Sequence, residues 1–134
     1  MVAIEIVKLL GNLGDRCDFK CADASAIPVG AFLELSDANT VTAHATNVDT
    51  PIVGICSREK VANDGELFVT GITNCLFKAV VDGANVTVGD ICSCGSTTNE
   101  VETGSSLDFE KGWAVGWSRE NASSADTCLF RSTF

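Results

Sequence analysis

The chain carries IVGICSRE at positions 52–59 and repeats most of it as AVGWSRE at positions 114–120. A second Val-Gly pair precedes each stretch, at 29–30 and at 88–89, and a polar segment containing Thr and Asn lies between. The order of these features is the same in both places, so the sequence is interpreted as one unit that is used twice.

A glycine inside a strand permits a bulge or a sharp bend, which a small barrel needs at its corners. Two equivalent corners in two related halves would close a barrel and protect its sheet edges. We predict that residues 27–60 and 86–121 form this internal repeat, joined by a hairpin at 66–81. Chance similarity between short strand sequences is the alternative explanation.

Apolar and polar residues alternate along most of the chain, as they do in half-buried strands. The clearest runs are CLFKAVV at 75–81, NVTVGD at 85–90, GWAVGWS at 112–118 and TCLFRST at 127–133. In the third run the alternation places Trp113, Val115 and Trp117 on one face. Turn sequences rich in Gly, Asn and Asp separate the runs. We therefore predict an all-β fold, a small β-barrel or sandwich with two related halves.

The N-terminal stretch VAIEIVKLL at 2–10 is rich in β-branched residues, which favours a strand or an extended arm over a helix. It contains Glu5 and has no small-residue cleavage site, so it is a poor signal peptide. We assign residues 1–15 to an N-terminal arm or edge strand and residues 16–134 to a single β domain. Apolar runs stay shorter than the roughly 18 residues of a transmembrane helix, so no membrane partner is predicted.

The chain has a formal net charge of -9, and its nine Lys and Arg residues are scattered. Direct binding to nucleic acid needs clustered basic residues that neutralise phosphates. We therefore predict no direct contact with nucleic acid.

The seven cysteines are an odd number, so they cannot all pair within one chain. Several lie in apolar runs, where cysteine behaves as a small hydrophobic residue, and we expect free thiols in a reducing compartment. Zinc bound by the pairs Cys17/Cys21 and Cys92/Cys94 is an alternative, as is a disulfide. The second pair has strand spacing, however, so no metal and no cofactor are predicted.

The sequence offers little for catalysis, and we predict no catalytic residues and no enzyme. His44, the single histidine, is expected to be an exposed residue with no local signature of a nucleophile–base pair. Glu100 and Glu102 are expected on a solvated face and not across a cleft.

The stretches around the Val-Gly pairs of both halves resemble the capsid decoration, or cement, proteins of tailed double-stranded DNA viruses. The most specific motif is VGICSREKVANDGE, in which a strand is followed by a charged turn and the next strand. The resemblance covers 21–133 and rests on CADASAIPVGAFLEL (21–35), TPIVGICSREKVANDGELFVTGI (50–72), VDGANVTVGDICSC (81–94) and GWAVGWSRENASSADTCLFRST (112–133).

This resemblance implies a β-rich protein that is made in the host cytoplasm and binds the exterior of the mature virion capsid. It implies the major capsid protein as partner and self-association as a homotrimer, with an N-terminal arm that reaches the capsid lattice. The capsid-binding candidates on that arm are Val2, Ile4, Ile6 and Val7. Aromatic residues are common interface anchors, and the oligomer-interface candidates are Trp113, Trp117 and Phe134. A small β-barrel that binds carbohydrate or a host surface without catalysis is the alternative function.

Overall fold

The structure, a computed structural model, describes residues 2–7 and 13–134. The rest of the predicted arm, residues 1 and 8–12, lies outside the described residues. The described residues form eleven strands and one short helix: β1 (Glu5–Val7), β2 (Asp15–Lys20), β3 (Phe32–Asp37), β4 (Thr40–Ala43), β5 (Ile52–Cys56), β6 (Phe68–Thr73), β7 (Leu76–Val80), β8 (Ile91–Cys94), β9 (Val101–Thr103), α1 (Ser106–Glu110), β10 (Ala114–Ser118) and β11 (Thr127–Ser132). The predicted all-β class is confirmed.

The first half of the chain is a closed barrel with the strand order β2-β4-β3-β5-β6. The barrel closes where the end of β2 pairs in parallel with the start of β4, at Lys20 and Thr40. Its interior holds buried side chains from every strand, among them Phe19, Leu33 and Val69. Because all edges are paired around the ring, the first half carries its own core.

The second half is a sheet with the order β1-β7-β11-β10-β8-β9. Without β1, this order is the same as that of the first half when the barrel is read from β2 through β6, β5 and β3 to β4. A parallel bridge between Val81 and Val101 brings the ends of β7 and β9 together, at the place where β2 and β4 close the first barrel. The two halves therefore share one topology.

Strand register is also the same in the two halves. Leu33 of β3 pairs with Gly54 of β5, and Cys92 of β8 pairs with Gly116 of β10. A bulge lies next to each pair. A Cβ at Gly116 would lie 2.6 Å from the carbonyl oxygen of Arg131, so the neighbouring strand fits only against glycine there. The predicted role of these two glycines as strand corners is consistent with this packing.

The upstream Val-Gly pairs differ from the prediction, because they lie in turns and not in strands. Gly30 and Gly89 have φ of 79° and 88°, a conformation that glycine adopts without steric cost. Their N–H groups donate to the carbonyl oxygens of Cys56 and Ser118, at 2.8 Å in both halves. The predicted strand at 85–90 is therefore wrong.

Two further details of the predicted repeat need correction. The register equates Cys56 with Ser118, since both donate to the residue after a turn glycine. When the two halves are aligned by strand register, the two Ser-Arg-Glu motifs are therefore shifted by one residue relative to each other. The hairpin at 66–81 is also wrong: β6 pairs with β2 and β5, whereas β7 pairs with β1 and β11. Asn74, with φ of 51°, redirects the chain between them.

The two halves pack on a shared hydrophobic cluster. Phe32, from the outer face of the first barrel, meets Phe77 of the second half edge-on with 5.6 Å between ring centroids. Phe77 also stacks on Phe130 and Phe134, at 5.4 and 6.1 Å. Ile55 and Ile72 extend the cluster from the first half. Ring pairs of this kind add to the free energy of burial.

Helix α1 was not predicted. Ser105 and Asp108 form a capping box, in which each side chain accepts from the backbone N–H of the other residue. None of the residues of this helix is buried. In the part of the chain that is described, no helix is long and apolar enough to cross a membrane.

Candidate functional site

His44 is a structural residue, contrary to the expectation that it is exposed. Only 2% of it is accessible. Its Nδ1 accepts from the backbone N–H of Asn99 at 3.1 Å, and its Nε2 lies 3.2 Å from the carbonyl oxygen of Asn47. These contacts require a proton on Nε2 and none on Nδ1. Both ring nitrogens are thus used to hold backbone.

Asn99 joins three segments of the chain and is 1% exposed. Its Oδ1 accepts from the N–H of Phe32 at 2.8 Å, and its Nδ2 donates to the carbonyl oxygens of Val2 and Gly30 at 2.9 and 2.8 Å. The carboxamide oxygen and the carboxamide nitrogen of Asn99 thus both have hydrogen-bond partners inside the protein. This carboxamide fixes the second half and the N-terminal segment to the first barrel.

The N-terminal segment packs against its own chain. Ile4 is 5% exposed and its N–H donates to the carbonyl oxygen of Gly30 at 2.8 Å. Ile6 and Val7 are half-buried in β1, which pairs with β7. Val2 is 59% exposed. Of the four residues predicted to meet a capsid, Val2 is thus the one with an open side chain.

The three predicted interface aromatics have different environments. Trp113 is half-buried, with the Lys111 ammonium 4.4 Å above its ring. Trp117 is 38% exposed and contacts Phe109, with 5.7 Å between ring centroids. Phe134 is half-buried and packs on the shared cluster. Only Trp117 presents a large open surface.

The prediction that Trp113, Val115 and Trp117 share one face is wrong. Val115 is fully buried whereas Trp117 points outward. The bulge between Ala114 and Gly116 in the pairing with β8 interrupts the alternation, because one extra residue moves the next side chain to the other face.

Sequence reasoning missed Leu107 and Phe109, which are both 50% exposed on α1, and the Phe109 ring contacts Trp117. The available signal was the spacing Ser105-x-x-Asp108, which marks the start of a helix. Phe109 and Trp117 together form an exposed apolar surface, which we call the α1/β10 patch. Clustered exposed apolar residues of this kind are typical of interaction sites.

The motif KVANDGE forms a compact loop around the side chain of Lys60. The Lys60 side chain is 2% exposed and donates to Asp64 at 2.9 Å and to the carbonyl oxygens of Asp23 and Val61 at 3.0 and 3.1 Å. The hydrogen bond from Lys60 lowers the pKa of Asp64 below its ordinary value. An ammonium with three acceptors is fully satisfied, so this motif stabilises the first barrel.

Glu100 and Glu102 are half-buried on β9 and the turn before it. Burial raises the pKa of both carboxyl groups, and the Asp82 carboxylate raises each further. Within residues 2–7 and 13–134, no three His, Cys, Asp or Glu side chains are arranged to hold a metal ion.

All seven cysteines are free thiols, and Cys17 alone among them is exposed. Burial, with a smaller contribution from the Asp90 carboxylate, raises the pKa of Cys92 to about 12. Burial also raises the pKa of Cys94, Cys75 and Cys56. The thiolate is the reactive form, so these buried thiols are chemically protected.

We expect a thiol reagent such as Ellman's reagent to modify one cysteine, Cys17, quickly in the native protein. The six buried thiols should react at a rate at least roughly 100-fold lower, because each becomes accessible only when the structure opens locally or globally. Denaturation should then release seven reactive thiols. Cys17→Ser removes the fast phase and is the control; a denatured count below seven would reveal a disulfide and contradict the free-thiol assignment.

The fold is thus that of a small all-β protein built from two topologically equivalent halves. A similar solved structure is the head fiber gp8.5 N base in bacteriophage phi29, with a TM-score of 0.53 and 12% sequence identity. The match covers 89% of this chain and 93% of that chain. No protein-family model and no curated protein matches the chain. At this identity the match establishes a shared fold.

Proposed function

We propose that this protein is a structural component of a bacteriophage head. Specifically, it is a decoration protein that binds the exterior of the mature capsid as a homotrimer and stabilises the shell through the major capsid protein. The observation that carries the proposal is the likeness in fold, over nearly the whole chain, to a phage head fiber base. The sequence resemblance of 21–133 to decoration proteins supports the same assignment.

A protein of this kind needs adhesive surfaces and no catalytic step. A weak contact made by each subunit becomes tight attachment when several subunits bind together. A protein that binds only the mature lattice stabilises that lattice by mass action. The buried His44 and the protected thiols agree with this function, since both are used inside the fold.

The N-terminal segment supplies the proposed capsid contact, but through fewer residues than the four candidates. Ile4 lies in the core, so its side chain cannot leave the chain without loss of stability. Val2 has its carbonyl oxygen held by Asn99 while its side chain remains exposed. This arrangement presents a small apolar group on a fixed backbone.

We expect the protein to co-sediment with expanded cognate heads and not with unexpanded heads. Val2→Asp should weaken that binding by about tenfold or more, because an unpaired carboxylate would be desolvated at each contact of the trimer. Co-sedimentation over a range of protein concentrations measures the change.

The matched control is Val61→Asp, since Val61 is 58% exposed, close to the 59% of Val2, and lies in the loop after Lys60. Both variants should melt like the wild type. Equal loss in the two variants would place the contact elsewhere. Failure of the wild type to bind expanded heads would overturn the proposed function. Deletion of the whole segment is a poorer test, because it also removes Ile4 from the core.

A further inference from the structure

The outer face of the second half carries an open row of side chains. Ile91, Trp117, Arg131, Leu76 and Val7 are direct cross-strand neighbours on β8, β10, β11, β7 and β1. Directly opposite residues of neighbouring strands point to the same face of a sheet. All five remain at least partly exposed, and the α1/β10 patch borders the row at Trp117.

The equivalent row of the first half is covered at three of its four positions, and its fourth member, Arg16, is exposed. Phe32, Ile55 and Ile72 are direct neighbours in the same register and are 0%, 0% and 5% exposed. Phe77 and Asn99 of the second half contact Phe32, and Ile55 and Ile72 are buried in the cluster that the two halves share. The same sheet face is therefore largely buried in the first half and exposed in the second half.

Beside the open row, the backbone of the second half offers an N–H and a carbonyl oxygen that are equivalent to the two groups that Asn99 binds in the first half. Asn99 binds the N–H of Phe32 and the carbonyl oxygen of Gly30. The counterparts of these two groups are the N–H of Ile91 and the carbonyl oxygen of Gly89. Among the described residues, no side-chain acceptor reaches that N–H and no donor reaches that carbonyl oxygen.

The chain also carries an unused counterpart of Asn99. Asn39 occupies the turn between β3 and β4, as Asn99 precedes β9 after β8, and their φ values are 52° and 65°. Asn39 is exposed, and its carboxamide makes no hydrogen bond to a described residue. Next to it lies the exposed Asp37, opposite in charge to Arg131 of the open row.

We propose that the open row is the binding site for a second copy of this chain, entered by the Asn39 turn of its first half. The Asn39 carboxamide binds the N–H of Ile91 and the carbonyl oxygen of Gly89, as Asn99 does within the chain. The side chains of Trp117 and Phe109 are covered in the same contact. Two different surfaces meet, so the contact is head-to-tail, and in the proposed homotrimer three such contacts close a ring. This deepens the proposed function, because it supplies the interface of the homotrimer.

The test measures the mass of full-length variants by light scattering. Trp117→Glu, which places a charge in the row, should reduce the mass about threefold, from trimer to monomer. Asn39→Gly, which removes the carboxamide and tolerates the positive φ, should raise the dissociation constant about tenfold or more. Phe68→Glu and Asn63→Gly are the matched controls: Phe68 is 52% exposed and Asn63 has φ of 60° in an exposed turn. Both controls should keep the wild-type mass.

Mixing the two variants tests the head-to-tail geometry. The Trp117→Glu copy keeps its Asn39 turn and the Asn39→Gly copy keeps its row, so one intact contact should form and the mixture should contain dimers. A monomeric wild type, a Trp117→Glu variant that stays oligomeric, or a mixture without dimers overturns the proposal. Capsid binding is a separate readout: a wild type that forms the ring but ignores expanded heads refutes the proposed function and leaves this interface standing.

Discussion

Replacing Asn99 by glycine is expected to lower the free energy of unfolding by about 3 kcal/mol. The substitution leaves the N–H of Phe32 without its acceptor at 2.8 Å, opens a cavity at a buried site, and removes one of the two donors of the Gly30 carbonyl oxygen, which keeps the N–H of Ile4. Each buried polar group without a partner costs about 1–3 kcal/mol. Glycine accepts the φ of 65°, so backbone strain does not contribute. Urea denaturation of the monomeric protein at low concentration measures the change.

Asn39→Gly is the internal control for this prediction, because Asn39 has the same positive φ and an exposed side chain. It should change the free energy of unfolding of the monomer by less than about 1 kcal/mol. Similar losses in the two variants would show that the turn conformation matters and that the buried carboxamide does not.

Phe77→Ala is expected to cost about 3–5 kcal/mol, the usual range for removing a fully buried aromatic side chain. Phe77 is 0% exposed and its ring lies against Phe32 of the first half and against Phe130 and Phe134. Because this cluster contains residues of both halves, the loss should appear as a single transition that both halves share. Differential scanning calorimetry should record one endotherm at a lower temperature.

Probes in each half make the second prediction sharper. Fluorescence of Trp113 and Trp117 reports on the second half, and the reactivity of the buried Cys21 and Cys56 reports on the first. The two signals should change together in Phe77→Ala. Phe68→Ala, at a site that is 52% exposed, should stay within about 0.5 kcal/mol of the wild type. Separate transitions for the two probes would contradict a shared core.

Much of the fold follows from local sequence patterns. The alternation in CLFKAVV correctly places Cys75, Phe77, Ala79 and Val81 on one buried face, because β7 has a core on one side. The repeated Val-Gly-x pattern indicated two related halves for a physical reason, since each strand glycine has a close neighbour where a Cβ would lie: the backbone of Arg131 at Gly116 and the Phe19 ring at Gly54. Where the alternation failed, at Trp117, a bulge had changed the period.

The candidate surfaces were harder to predict, because they depend on how the two halves meet. Asn39 and Asn99 are both polar turn residues in the sequence, and only docking of the halves buries one of them. The same holds for His44, whose two partners come from distant and nearby backbone. Ile4 was predicted as a capsid contact because its alternation fits any sheet edge, and the burial of its side chain within its own chain could not be read from that pattern.

Because Cys17 is the one exposed cysteine, it provides a single site for covalent labelling. Cys17 lies on β2 of the first barrel at the position equivalent to the buried Phe77 of the second half, but it is exposed and therefore accessible to a reagent. A maleimide dye, a gold cluster or a peptide could be attached at one point per copy without mutating the other six cysteines. On an assembled particle, such a tag would mark the first half of every subunit and allow distances between neighbours to be read by energy transfer.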